Sequence, residues 1–157
     1  MKMMSTVALA AALGLAVAPL AHAEDATPAT TLTTPPKGKG MVVLYRPGGM
    51  GMAIVCHPRE NGKMVAKAGN GKYSYFFVEP GKHKFTVETE AKNEINVEVD
   101  PDDTYYIRCK ITMGIMAGRP RLSLATKAEF DEALPHLKME DMAKMADDIA
   151  KDGQPKN

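Results

Sequence analysis

Between Met41 and Ala125, apolar and polar side chains alternate in short runs that turn residues interrupt every few positions. Successive side chains of a strand point to opposite sides, so a period of two gives one buried and one solvated face. The pattern confines this span to a layered sheet architecture. Ile95, Val97 and Val99 alternate with Asn96, Glu98 and Asp100, and Phe85 and Val87 alternate with Lys84, Thr86 and Glu88. A slip of one residue would turn either apolar set outward, which fixes the facing of each strand.

Eight strands are expected, over Met41–Tyr45, Met52–His57, Lys63–Lys67, Tyr73–Val78, His83–Glu90, Glu94–Val99, Thr104–Ile111 and Arg121–Ala125. Arg46-Pro47-Gly48-Gly49 stops the first. Asn61-Gly62 and Asn70-Gly71 tolerate positive φ and suit hairpin turns. Pro80-Gly81 fits the two central positions of a type II turn. Seven or eight short strands at this spacing predict a mainly β fold: a small immunoglobulin-like or related antiparallel β-sandwich over residues 39–126, or a small barrel.

Beyond Ala125 the period changes. Lys127–Leu134 is expected as one short helix and His136–Lys151 as a second, with Pro135 where a first turn tolerates it. Met139, Met142, Met145 and Ile149 share an arc with Ala143, Ala146 and Ala150, opposite Glu140, Lys144, Asp147 and Lys151. That amphipathic arc is expected to dock on the sheet. Asp152-Gly153 ends the helical segment 127–152, leaving 153–157 as a tail.

At the other end, Lys2, an apolar run from Val7 to Ala21, and Ala21-His22-Ala23 ahead of Glu24 have the parts of a signal peptide. The run is broken by Gly14 and Pro19 and falls short of the roughly 20 apolar residues of a spanning helix. Residues 1–23 are therefore expected to be cleaved between Ala23 and Glu24, leaving no transmembrane segment. The residue directly after that point is Glu24 and not a cysteine, so the product is expected to be periplasmic or secreted and not lipid-anchored. Residues 24–38, rich in Thr, Pro and Ala, offer little to bury and are expected to form a disordered leader. The chain carries 20 Lys and Arg against 19 Asp and Glu. Losing Lys2 balances them, which argues against nucleic acid as a partner, since that binding depends on neutralising phosphates.

Several ordered pieces carry a family likeness: Tyr45-Arg46-Pro47, Asn61-Gly62-Lys63, Asn70-Gly71, Pro80-Gly81-Lys82-His83, Tyr105-Tyr106-Ile107-Arg108 and Gly118-Arg119-Pro120-Arg121-Leu122. Over about residues 38–130 the chain resembles the bacterial envelope family known as domain of unknown function 2846. The resemblance implies a secreted or periplasmic β-sandwich and brings no catalytic residue. Many members look like lipoproteins, and this chain departs from them in having Ala23-Glu24 at the cleavage point.

Cys56 shares a strand face with Ile54, and Cys109 shares one with Tyr105, Ile107 and Ile111, so both sulfurs point toward the expected core. Export permits a bridge. Cys56 and Cys109 are the candidate disulfide if their Cα atoms lie within about 7 Å; separate buried thiols, or a reactive or metal-binding thiol, are the alternatives.

Among polar groups, Arg46, Arg119 and Arg121 flank Gly/Pro-rich loops, and Arg108 sits beside Tyr106 on an outward face. Guanidinium and aromatic groups together suit carboxylate, sugar or peptide recognition, and loops are where binding residues concentrate. These five residues form the candidate ligand or partner surface, with a salt-bridged solvated rim as the plainer reading. His136, Met139, Met142 and Met145 step by three, and soft thioethers could hold copper. Four such positions climb about 13 Å along a helix, which favours a packing stripe.

Ser74 and Ser123 lie inside expected strands, and His57, His83 and His136 have no motif context. Gly48-Gly49-Met50-Gly51 lacks the spacing and the lysine of a phosphate loop. No catalytic residue and no cofactor are expected. The sequence thus reads as an exported, non-catalytic binding or interaction module for an envelope protein or cell-wall component. The alternatives are soft-metal handling by the tail and a hydrolase of unrecognised type.

Overall fold

The computed structural model describes residues 32–88, 92–115 and 118–152. In chain order these hold β1 (Gly40–Arg46), β2 (Arg59–Glu60), β3 (Lys63–Met64), β4 (Lys72–Val78), β5 (Gly81–Glu88), β6 (Lys92–Val99), β7 (Thr104–Thr112) and β8 (Arg119–Ala125). Helix α1 (Lys127–Ala133), a 3-10 turn at Leu134–His136, β9 (Lys138–Met139) and helix α2 (Met142–Asp152) complete the chain. The expected signal segment 1–23 and the first part of the leader, 24–31, lie outside the described residues.

The strands form a five-stranded sheet in the order β8-β7-β1-β4-β9 and a four-stranded sheet in the order β3-β2-β5-β6. The main core lies between them. Val42 and Leu44 of β1, Phe85 and Val87 of β5, Val97 and Val99 of β6 and Ile107 and Ile111 of β7 all join it, those of β5, β6 and β7 belonging to the alternating sets predicted to face inward. Every residue of β1 is buried. As the central strand it turns Val42 and Leu44 to the core, while Val43 and Tyr45 lie on the opposite face, where Phe130 of α1 covers Tyr45. The mainly β, two-sheet architecture with a C-terminal helix is as expected.

Several details differ. The five-stranded sheet is mixed, because β1 pairs parallel with β7 and β4 pairs parallel with β9, whereas the four-stranded sheet is antiparallel as expected. Alternation sets which way side chains face and is silent on which strands are neighbours.

Met52–His57 is not a strand. The Arg46 guanidinium reaches back to this segment, with Nη2 donating to the carbonyls of Met50 (2.9 Å) and Gly51 (2.7 Å) and Nη1 to that of Ile54. Carbonyls tied to a side chain do not build a ladder: Ile54 N turns back to Gly51 O at 2.9 Å, and Cys56 forms an isolated bridge, exchanging two hydrogen bonds with Ala68.

Asn61 and Gly62 both take positive φ, 50° and 81°, and join β2 to β3 as a two-residue hairpin. That hairpin stops at Met64, since Pro58 has no N–H with which to extend the ladder and only accepts from Val65 N, at 3.0 Å.

The second helix is also shorter than expected. His136 ends the 3-10 turn, and Lys138 and Glu140 donate their N–H groups to Gly71 and Tyr73, at 3.0 and 2.8 Å, which makes β9 a strand. Asp141 then accepts from Lys144 N at 2.9 Å and starts α2. Met145 of α2 is buried in the core cluster, with Met142 and Ile149 against it. Arg59 clamps the far end of α2 through both Asp152 oxygens, at 2.7 and 2.6 Å.

Candidate functional site

The outer face of the five-stranded sheet divides into an aromatic half and a cationic half. In the aromatic half, Phe130 of α1 covers Tyr45, Tyr73 and Tyr106, with ring centroids 5.2–5.6 Å apart. Thr126 and Glu129 form a reciprocal capping box that starts α1 and sets Phe130 over the sheet.

The cationic half follows from register. Lys110 of β7 and Arg121 of β8 are direct partners in the antiparallel pair, both exposed, with buried Cys109, Ile111, Pro120 and Leu122 on either side. Like charges placed opposite one another repel. Neither makes an ion pair among the described residues. Arg108 lies two residues earlier on the same face, opposite Ser123, and its Nε is buried with no hydrogen-bond partner. Glu129 feels the field of Arg108 without pairing with it. Its carboxyl is held below the usual range first by hydrogen bonds from the Thr126 backbone and side chain, and then by Arg108.

Arg108 stands between two hollows. One, of about 200 Å³, lies between the loop after β1 and β7, lined by Arg46, Pro47, Met50, Arg108, Lys110 and Ile111 among others. The other, of about 310 Å³, is lined by Tyr45, Pro47, Arg108, Glu129, Glu132 and Ala133. The first gathers cations and apolar groups and no carboxylate, an environment suited to an anionic group.

Beside the first hollow two loops abut, over Ile54 and the inward-facing Ile111 of β7. A Cβ placed on Gly51 would lie 2.9 Å from Ile111 Cγ2 and 3.2 Å from Ile54 Cδ1; one placed on Gly118 would lie 2.7 and 2.6 Å from the same two atoms. A side chain at either position would force Ile54 or Ile111 to shift. The loops carry Met50, Met52, Met113 and Ile115 outward, at 59, 77, 76 and 88 % exposure.

Of the residues singled out in the sequence, Arg108 and Arg121 come together on this face, and Arg119 lies at the start of β8 opposite Thr112. Arg46 does not join them: it is 1 % exposed and bonded to loop carbonyls, because its parity on β1 is that of Val42 and Leu44. Tyr106 faces outward as expected but is buried under Phe130, since α1 covers that part of the sheet. Lys110 was missed. It shares parity with Arg108 on one strand, the signal that could have found it.

The tail candidates lie on three elements. His136 is exposed in the 3-10 turn, Met139 is half exposed on β9, and Met142 and Met145 turn toward the core from α2. Among the described residues no group of three or more His, Cys, Asp or Glu is placed to hold a metal ion. Ser74 is buried and donates its hydroxyl to Lys67 O at 2.7 Å. His83 stacks on Phe85 and bonds Glu60 Oε1 and Glu79 O, each at 2.7 Å.

Cys56 and Cys109 are joined as a disulfide, with Cα atoms 6.6 Å apart. The bridge ties the inner side of β7 to the segment between β1 and β2. Among the described residues no helix is long and apolar enough to cross a membrane.

No curated protein and no solved structure matches the chain. The family model described as "Protein of unknown function (DUF2846)" matches residues 36–120, from the turn before β1 to the start of β8, and the chain belongs to that family.

Proposed function

We propose that this chain is exported and serves as a non-catalytic binding module of the cell envelope, with the outer β7–β8 face receiving an anionic group of its partner. The observation that carries the reading is Lys110 held opposite Arg121 with no carboxylate among the described residues paired to either. A fold gains nothing from opposing two cations across a ladder, whereas an anion lying over both, beside the Arg108 guanidinium, would relieve the repulsion. The signal-like N-terminus supports export, and the Cys56–Cys109 bridge suits an oxidising compartment.

The test uses the chain from Glu24 onward, labelled for NMR and titrated with tripolyphosphate as a small polyanion. Shifts confined to residues around Arg108, Lys110, Arg121 and Ser123, and abolished by Lys110→Glu with Arg121→Glu, are expected. Shifts spread evenly over the surface, or none at millimolar tripolyphosphate, would overturn the site. For export, the mass of the product recovered from the periplasm should begin at Glu24. Retention of Met1 would overturn that part.

A further inference from the structure

We propose that the partner of this face is an anionic lipid bilayer, met by the two abutting loops as an apolar apex with the β7–β8 cations behind it. The inference rests on the binding-module reading above and names what that module binds.

Single exposed apolar residues are ordinary on a protein surface. Here Met50, Met52, Met113 and Ile115 all lie on two loops that press against the same atoms of Ile54 and Ile111, so the exposed groups belong to one end of the sandwich. Contiguous exposed apolar groups rimmed by polar ones mark a contact with protein or membrane.

Charge distinguishes these two. From Met41 to Pro58 and from Thr104 to Ala128 the sequence holds no Asp or Glu, while it does hold Arg108, Lys110, Arg119 and Arg121. Met50 and Lys110 line the same cleft, which places the start of the apex beside the cations. Apolar groups that enter the boundary between headgroups and acyl chains, flanked by Lys and Arg that stay with anionic headgroups, are what an interfacial contact requires. The exposed groups are long, unbranched Met and one Ile on loops, which suits entry into a fluid interface. A protein partner would need a matching pocket.

The consequence is peripheral, salt-sensitive membrane contact by a chain whose described helices are none of them long and apolar enough to span one. The chain from Glu24 onward should co-sediment with phosphatidylglycerol/phosphatidylethanolamine vesicles and not with phosphatidylcholine vesicles. Added salt should weaken the binding, as screening of surface charge demands. Removing Lys110 or Arg121 should weaken it by about fivefold each. Met52→Glu with Ile115→Glu should abolish vesicle binding and leave the tripolyphosphate shifts in place; Met52→Leu should keep both.

Equal binding to neutral vesicles, or full binding by the double glutamate variant, would overturn the inference. So would a lower oligomeric mass for that variant by light scattering, which would assign the apex to a second copy of the chain. If tripolyphosphate binds at the face and anionic vesicles do not, only the lipid partner falls. If neither binds, the anion-binding face falls with it.

Discussion

Tyr45 of β1 and Phe130 of α1 meet edge to face, with ring centroids 5.3 Å apart and planes 74° from one another. Phe130 is fully buried and also touches Tyr73 and Tyr106, so one side chain fastens α1 to three strands. Phe130→Ala should lower stability by about 3–5 kcal/mol, the range for deleting a buried aromatic ring. The hydroxyls of Tyr45 and Tyr73 are buried with no hydrogen-bond partner. Removing an unpaired buried hydroxyl loses no bond, so Tyr45→Phe and Tyr73→Phe should leave stability unchanged or raise it by about 1–3 kcal/mol. Urea denaturation measures all three. A loss above about 1 kcal/mol in either tyrosine variant would show a paired hydroxyl and contradict the packing described.

The Cys56–Cys109 bridge spans 53 residues of sequence. In the chain-entropy account a crosslink of that span restricts the unfolded state by about 4 kcal/mol. Cys56→Ala with Cys109→Ala should therefore lower the unfolding free energy by about that amount and move the denaturation midpoint down accordingly. Intact mass after alkylation should show no free thiol in the unreduced, denatured protein. An unreduced protein that takes up two alkyl groups, or a midpoint that reduction does not move, would remove the bridge from the account.

Facing was legible in the sequence and pairing was not. Ile95, Val97 and Val99 could be turned inward from alternation alone, and the inward parity of Cys109 made it a candidate for a bridge to Cys56, whose expected strand does not form. Parity also contained what was missed at the site, because Arg46 falls in step with Val42 and Leu44 and Lys110 with Arg108. What no local pattern carries is a long-range contact. The parallel neighbours β1 and β7 lie about 60 residues apart in sequence, and the ladder that makes Lys138–Met139 a strand depends on the distant Gly71 and Tyr73 carbonyls. The burial of Tyr106 depends on where α1 lands, which is set by the capping box at Thr126 together with the packing of Phe130.

Asp152 couples the last helix to acidity. Hydrogen bonds from Arg59, and then from the Met64 backbone N–H, hold its carboxyl at about 2, below its ordinary 3.8. A carboxyl whose folded value is depressed contributes stability in full above its unfolded value, and that contribution is lost as pH falls through the folded one. The end of α2 should therefore stay docked at pH 5 and loosen between about pH 4 and pH 2, seen as faster amide exchange around Ile149 and Lys151. Asp152→Asn should exchange faster already at pH 5 and respond less to acid. Some acid response should persist in that variant, because Lys67 holds the Asp148 carboxyl below its ordinary value in the same helix. An acid profile identical in the parent and in Asp152→Asn would show that the clamp does not dock the helix.

The same logic of charge separates a cation that serves the fold from one that serves a partner. Lys110 faces Arg121 directly and pairs with no carboxylate among the described residues. Lys110→Glu turns a repulsive cross-strand pair into an attractive one, and should raise stability by about 0.2–1 kcal/mol, less at high salt. Lys110→Gln, which removes the repulsion without adding attraction, should fall between parent and glutamate. Tripolyphosphate binding should move the opposite way and weaken in the same order, with the glutamate variant weakest. A residue retained for stability would show both effects falling together. If Lys110→Glu destabilises the protein while anion binding persists, Lys110 belongs to the fold, and the case for a binding face on β7 and β8 fails with it.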